Sequence, residues 1–212
     1  MKQLNQFVIE YIVKKKLDKP IDSENHYEYF PKTKQELRKN IQELLDKNIY
    51  DFNCIDTSAI TDMSHLFETY ANSENINFDV SRWDVSNVET MVGIFFNCKK
   101  FNCNLSNWNL SNVKKAAYMF YNCEEFNQDL SNWDVSNIKD MSHMFGNCKK
   151  FEGKGLDKWN ISNVEYMIRM FIGCDNFTGE TIENWKIKKS CSKFEFLLDC
   201  KKLKINPKWN TK

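Results

Sequence analysis

Among the 212 residues of this chain, those with the types and spacing to do chemistry are eight cysteines, three histidines, and polar residues beside evenly spaced tryptophans. Cys98, Cys123, Cys148, Cys174 and Cys200 recur in steps of 25, 25, 26 and 26. Thiols at such a period meet in neighbouring units of a stacked repeat, either as disulfide rungs or as small apolar core residues. The apolar setting favours core packing: Phe101, Phe126, Phe151, Phe177 and Leu203 each follow one of them by three residues. No Cys-x-x-Cys pair and no histidine at zinc spacing accompanies them, so no metal ligand set is read. Cys54, Cys103 and Cys191 lie off the ladder and are expected to be the more reactive thiols.

Trp83, Trp108, Trp133, Trp159 and Trp185 share the same steps. A row of indoles can be a stacking platform for bases or sugars. Each is followed two residues later by Val, Leu or Ile, which instead points the row into a core. Buried indole N–H groups need acceptors, and the flanking Ser and Asn side chains are the candidates. His65 and His143 occupy one repeat position, the mark of duplication rather than of catalysis. No Gly-x-Ser-x-Gly, phosphate-cradling Gly loop or His-Glu-x-x-His is present, so no enzyme activity and no cofactor are expected.

The best candidate surface is the set of polar columns beside the tryptophans. The residue after each Trp gives Asp84, Asn109, Asp134, Asn160 and Lys186. The residue before gives Arg82, Asn107, Asn132 and Lys158. The third position after gives Ser86, Ser111, Ser136 and Ser162. Rungs about 5 Å apart would make an unbroken Asp column costly, and alternation with Asn relieves it. These columns predict a polar concave face suited to a protein partner, with a carbohydrate as the other possibility.

The elements that must position these columns follow from one unit, Leu130 to Phe151. Leu130, Trp133 and Val135 fit a short strand. Ile138, Met141, Met144, Phe145 and Cys148 fit one face of a short helix. The expectation is an α/β repeat: about six strand–short-helix coils of 25–26 residues stacked into one core. The motif Leu-x-x-Trp-x-Val-x-x-Ile…Met-x-x-Met-Phe-x-x-Cys-x-x-Phe resembles the BspA-type leucine-rich repeats. It is more closely similar to the Trp-Asp-Val-Ser-Asn-Val repeat domain of unknown function found in many bacterial surface lipoproteins. The resemblance covers about Asn48 to Lys202. It implies a right-handed leucine-rich-repeat solenoid, a role in adhesion or protein binding, and no catalysis.

The flanks do not repeat. The expected division is a helical segment and cap over 1–48, the repeats over 49–203, and a C-terminal cap over 204–212. Pro31, Thr33 and Glu36 predict a capped helix whose stripe is Leu37, Ile41, Leu44 and Leu45, ending at Asn48. An earlier apolar set, Leu4, Phe7, Val8, Tyr11 and Ile12, has helical spacing too. It reads either as more cap or as a docking helix that fits a groove elsewhere. The lysine-rich end after Lys186 reads as a solvated cap or as a patch for an acidic partner.

A net charge of +1 offers no field for nucleic acid. No run approaches the roughly 20 apolar residues of a membrane span. Phe7–Val13 is broken by Glu10 and followed, not preceded, by Lys14–Lys16, so no export signal is read. That places the chain in a reducing cytoplasmic, intracellular or virion-associated setting with free thiols. Cell-surface location is the alternative that the resemblance brings. The leading functional expectation is a non-catalytic protein-interaction module. The alternatives are a structural component of a larger particle, such as a phage virion docked by the first helix, and a surface adhesin. Oligomeric state is not encoded legibly.

Overall fold

The computed structural model describes residues 27–68, 70 and 75–210. Helix α1 spans Lys34–Asp46. Thr33 caps it as the sequence signals: its hydroxyl accepts from the Glu36 N–H at 3.2 Å, and the Glu36 carboxylate accepts from the Thr33 N–H at 3.2 Å. Leu37, Ile41 and Leu44 are buried against the first repeat unit, with Leu45 partly so. The helix stops where Asn48 turns left-handed, φ 56°, and Ile49 N–H returns to Leu44 O at 2.9 Å.

After α1 the expected strand–short-helix architecture is not what the chain builds. Among the described residues α1 is the only α-helix. Short 3-10 turns stand at Leu156–Lys158, Glu180–Ile182 and Lys208–Asn210. Among the described residues, pairing is confined to isolated parallel bridges instead of extended strands: the row Asp62–Thr90–Lys115–Asp140–Tyr166–Ser192, with Asp51–Asp79 and Tyr29–Ile55 at the first units. The α/β solenoid of strand–helix coils is therefore corrected to a stack of turn-built units.

The physical reason lies in the spacing itself. Each unit is a string of turns closed by a bond from N–H to the carbonyl three residues earlier. Trp133 bonds Leu130 at 3.2 Å, Ile138 bonds Val135 at 3.0 Å, Met144 bonds Met141 at 3.1 Å, and Cys148 bonds Phe145 at 3.0 Å. Apolar residues three apart fit the ends of such turns as well as they fit a helix face. A helix is also barred by His143 and Asn147, whose φ values are 57° and 59°. Left-handed residues interrupt right-handed helix, and Asn and His are enriched among the side chains that adopt this region.

These alternating turns aim every second N–H at the following unit. Met141, His143, Phe145 and Asn147 donate to the carbonyls of Tyr166, Ile168, Met170 and Ile172 at 2.8, 2.9, 2.9 and 2.7 Å. Met91, Gly93, Phe95 and Asn97 make the same set of bonds to the unit after them. Inside this frame runs one continuous core. Phe95, Phe120, Phe145 and Phe171 stack along the repeat at 5.4, 5.6 and 5.6 Å. A second phenylalanine fits beside each, Phe101 to Phe95 at 4.0 Å and Phe126 to Phe120 at 4.1 Å. Large rings at every rung bury the apolar area that drives the stack together.

Candidate functional site

The tryptophan segments set the columns. Trp133 and Val135 are buried while Asn132 and Asp134 are exposed, and the same alternation holds at Trp83, Trp108 and Trp159. All thirteen column residues thus reach the surface: Asp84, Asn109, Asp134, Asn160 and Lys186 are exposed, as are Arg82, Asn107, Asn132 and Lys158. Of the serines, Ser162 is exposed and Ser86, Ser111 and Ser136 are half-buried.

The three columns differ in what their side chains already do. Asp84 accepts from the Ser86 N–H at 2.9 Å, Asn109 from Ser111 at 3.0 Å, Asp134 from Ser136 at 3.0 Å and Asn160 from Ser162 at 3.2 Å. Each is an Asx turn, a carbonyl or carboxylate oxygen capping the N–H two residues on. The Ser136 hydroxyl and amide together hold the Asp134 carboxyl below its usual range. Asp and Asn perform this capping equally, which accounts for their alternation more directly than charge relief does. The column before Trp carries no such local bond from Asn107 or Asn132. Lys158 pairs with Asp157 at 3.0 Å.

Sequence reasoning passed over the asparagine one place beyond the serine. Asn87, Asn112, Asn137 and Asn163 each donate from Nδ2 to a serine carbonyl of the preceding unit, Ser58, Ser86, Ser111 and Ser136, at 2.8, 2.7, 2.6 and 2.9 Å. The recurring Ser-Asn pair was the available signal. A second ladder runs through left-handed positions: Asn122 Nδ2 donates to Asn97 Oδ1 at 2.6 Å, and Asn147 to Asn122 at 2.8 Å.

The indoles are buried, so no stacking platform is exposed. Their acceptors are not the flanking Ser and Asn side chains. Trp83, Trp108, Trp133, Trp159 and Trp185 donate to the main-chain carbonyls of Phe52, Val80, Leu105, Leu130 and Leu156, at 2.8 to 3.1 Å. An open cleft of about 380 Å³ lies between the last two tryptophan segments, lined by Asn160, Asn184, Lys186, Asp157 and Glu180.

All eight cysteines are free thiols. Four of the ladder donate across units, among them Cys148 Sγ to Phe120 O at 3.0 Å and Cys174 Sγ to Phe145 O at 2.9 Å. Burial pushes Cys123, Cys148 and Cys174 well above the ordinary thiol range. The thiols off the ladder are raised too, though less than those at its centre. Burial raises Cys54 to about 11 and Cys103 to about 12, and Cys191 is buried and raised as well. No group of three or more His, Cys, Asp or Glu residues is placed to hold a metal ion among the described residues.

His65 and His143 both sit in left-handed turns, φ 53° and 57°, rather than on short helices. His65 Nδ1 lies 2.7 Å from Glu68. His143 is half-buried and stacks on Tyr118 at 4.5 Å. The candidate docking residues Leu4, Phe7, Val8, Tyr11 and Ile12 lie outside the described residues. Among the described residues no helix is long and apolar enough to cross a membrane.

Neither a curated protein nor a solved structure matches the chain. A family model does, twice and with overlap, over residues 34–154 and 128–212. The repeated, turn-built unit from α1 to the C-terminus is thus the part recognised, and the chain belongs to the family described as Mycoplasma protein of unknown function, DUF285.

Proposed function

We propose that this chain is a non-catalytic protein-interaction module that binds through the polar columns beside its tryptophans. The observation that carries the reading is the pairing of a stapled frame with an exposed column before each Trp, Arg82, Asn107, Asn132 and Lys158, whose side chains cap no turn of their own. A rigid surface loses little conformational freedom on binding, so its contacts convert efficiently into affinity. The resemblance to BspA-type repeats, whose implied role is adhesion or protein binding, supports the same class. The column after Trp contributes mainly by shaping the face, since its oxygens cap their own turns.

The test compares full-length variants for capture of protein from host lysate, each checked for native near-ultraviolet circular dichroism. Arg82→Glu with Lys158→Glu is expected to weaken capture of one defined protein by about tenfold or more, the scale of lost interfacial charge contacts. Asp84→Asn with Asp134→Asn keeps every turn cap and is expected to weaken it less. Capture by both double variants equal to that of the parent would overturn the assignment. Binding to a glycan array with no protein captured would replace the protein partner with a carbohydrate.

A further inference from the structure

The segments that run up to the ladder cysteines, 90–98, 115–123, 140–148 and 166–174, carry a second surface. Their buried residues are interspersed with outward ones, and bonds between units hold the outward ones in register. The N–H groups of Gly93, Tyr118 and His143 each reach the carbonyl of Ala117, Ser142 and Ile168 at 2.9 Å. Those of Asn97, Asn122 and Asn147 reach Tyr121, Gly146 and Ile172 at 2.8, 2.8 and 2.7 Å. One row is therefore Val92, Ala117, Ser142 and Ile168, and another is Phe96, Tyr121, Gly146 and Ile172. The bridges Thr90–Lys115–Asp140–Tyr166 fix a third row beside them.

Rings cover much of this face. Tyr118 stacks on His143 at 4.5 Å, and Phe96 on Tyr121 at 5.3 Å. The Tyr121 ring leans over Gly146 of the next unit, where a Cβ would come within 2.7 Å of it. Tyr166 is 48% exposed although units flank it on both sides. A surface patch of this make-up, rich in Tyr and Phe, is the composition of a protein interface. Two charges stand in the middle of it. Lys115 is exposed and forms no ion pair among the described residues. Asp140, in the next unit, caps the Ser142 N–H at 2.9 Å and forms no ion pair among them either.

We propose that this face joins two copies of the chain, antiparallel, about a two-fold axis that crosses the repeat between 115–123 and 140–148. A two-fold contact is isologous: where one residue meets a second, the second meets the first. With the axis there, Lys115 meets the partner's Asp140 and Asp140 meets the partner's Lys115. Tyr121, leaning toward the axis, meets the partner's Tyr121. Phe96 meets the partner's Ile172, and Val92 the partner's Ile168. Apolar side chains thus oppose apolar ones, and each central charge opposes its opposite. A parallel pairing, about an axis along the repeat, reverses the order of the rows and turns Lys115 toward the partner's Tyr121. A second copy run antiparallel is the occupant that matches both central charges at once. The face belongs to a different segment of each unit from the columns beside the tryptophans, so the inference goes beyond the protein-binding reading and does not rest on it.

Sedimentation velocity of the full chain over the micromolar range tests this, with near-ultraviolet circular dichroism as the check on each variant's fold. The parent is expected to dimerise. Lys115→Asp sets Asp against Asp, and Asp140→Lys sets Lys against Lys. Each alone is expected to raise the dimer dissociation constant by about tenfold or more, the scale of lost interfacial charge pairs. Mixed in equal amounts, the two variants are expected to form a heterodimer about as tight as the parent, since every charge again meets its opposite. Asp140→Asn, which keeps the cap on Ser142, serves if Asp140→Lys does not fold: mixed with Lys115→Asp, it should dimerise more tightly than Lys115→Asp does alone. Carbodiimide treatment of mixed isotopically light and heavy parent chains should cross-link Lys115 of one chain to Asp140 of the other. A chain monomeric throughout overturns the proposal, whatever other protein then occupies the face. So does a dimer indifferent to these variants, or no gain on mixing them. A cross-link from Lys115 or Asp140 to residues 1–26 of the same chain makes that segment the occupant and overturns it too.

Discussion

The indole N–H of Trp133 donates to the backbone carbonyl of Leu105 at 2.9 Å, across the boundary between one unit and the preceding one. One side chain thus fills the core and satisfies a buried carbonyl of its neighbour, so packing and hydrogen bonding between units depend on the same residue. Trp133→Ala should cost about 3–5 kcal/mol, the range of large aromatic truncations. Trp133→Phe keeps most of the buried area and loses this one bond, while the Leu105 carbonyl keeps the Trp108 N–H at 3.0 Å, so about 0.5–1.5 kcal/mol is expected. Urea denaturation of both variants checks this; a Phe variant as stable as the parent would mean the bond contributes nothing.

Gly155 occupies a left-handed turn, φ 87°, with its α-carbon against the backbone of Ser131 in the unit before. A Cβ there would overlap Ser131 N and lie 2.6 Å from its Cα. Gly155→Ala is expected to destabilise by at least about 1–3 kcal/mol, because backbone strain adds to a clash with atoms that cannot rotate away. Gly146→Ala should cost less, since its nearest neighbour is the Tyr121 side chain. Thermal melts of the pair rank them; the reverse order would contradict the packing.

The thiols make stability depend on alkaline pH. Burial raises Cys54 and Cys200 to about 11 and Cys103 to about 12, against 9.0 when exposed. Above pH 9 the unfolded chain loses these protons before the folded one does, so raising the pH favours unfolding. Stability should be constant below that value with respect to these groups and fall progressively as pH rises through 11. In the same way, maleimide labelling of the native chain at pH 7 should be slow at every cysteine and become fast in urea. Rapid labelling of Cys103 in the native state would show that this thiol is not held as described.

His143 acts on the acid side. Burial, then Arg169 nearby, lowers its pKa from 6.5, with Asp140 opposing. Its Nδ1 is buried and has no hydrogen-bond partner among the described residues. The neutral ring is the form the fold accepts, so its contribution is present above pH 6.5 and is lost as the pH falls through the lowered value. The His143 ring resonances should titrate below those of a free histidine. His143→Phe, which keeps the stack on Tyr118, should lessen the loss of stability on acidification from pH 7 to 5. An unchanged acid dependence would assign that loss to other groups.

The sequence by itself determined the period, the register and the inward set. Tryptophan, phenylalanine and cysteine repeats place Trp133, Phe145 and Cys148 in the core because burial follows a one-dimensional apolar pattern that stacking merely copies from unit to unit. The cap Thr33–Glu36 was legible for the same reason, being wholly local. What only the tertiary structure decided is the backbone. Apolar residues three apart suit a helix and a chain of turns alike, and the choice is made by partners more than twenty residues away: His143 N–H goes to Ile168 and not back into its own unit. The same dependence on the neighbouring unit selected main-chain carbonyls as the acceptors of the indoles and serine carbonyls as those of Asn112 and Asn137.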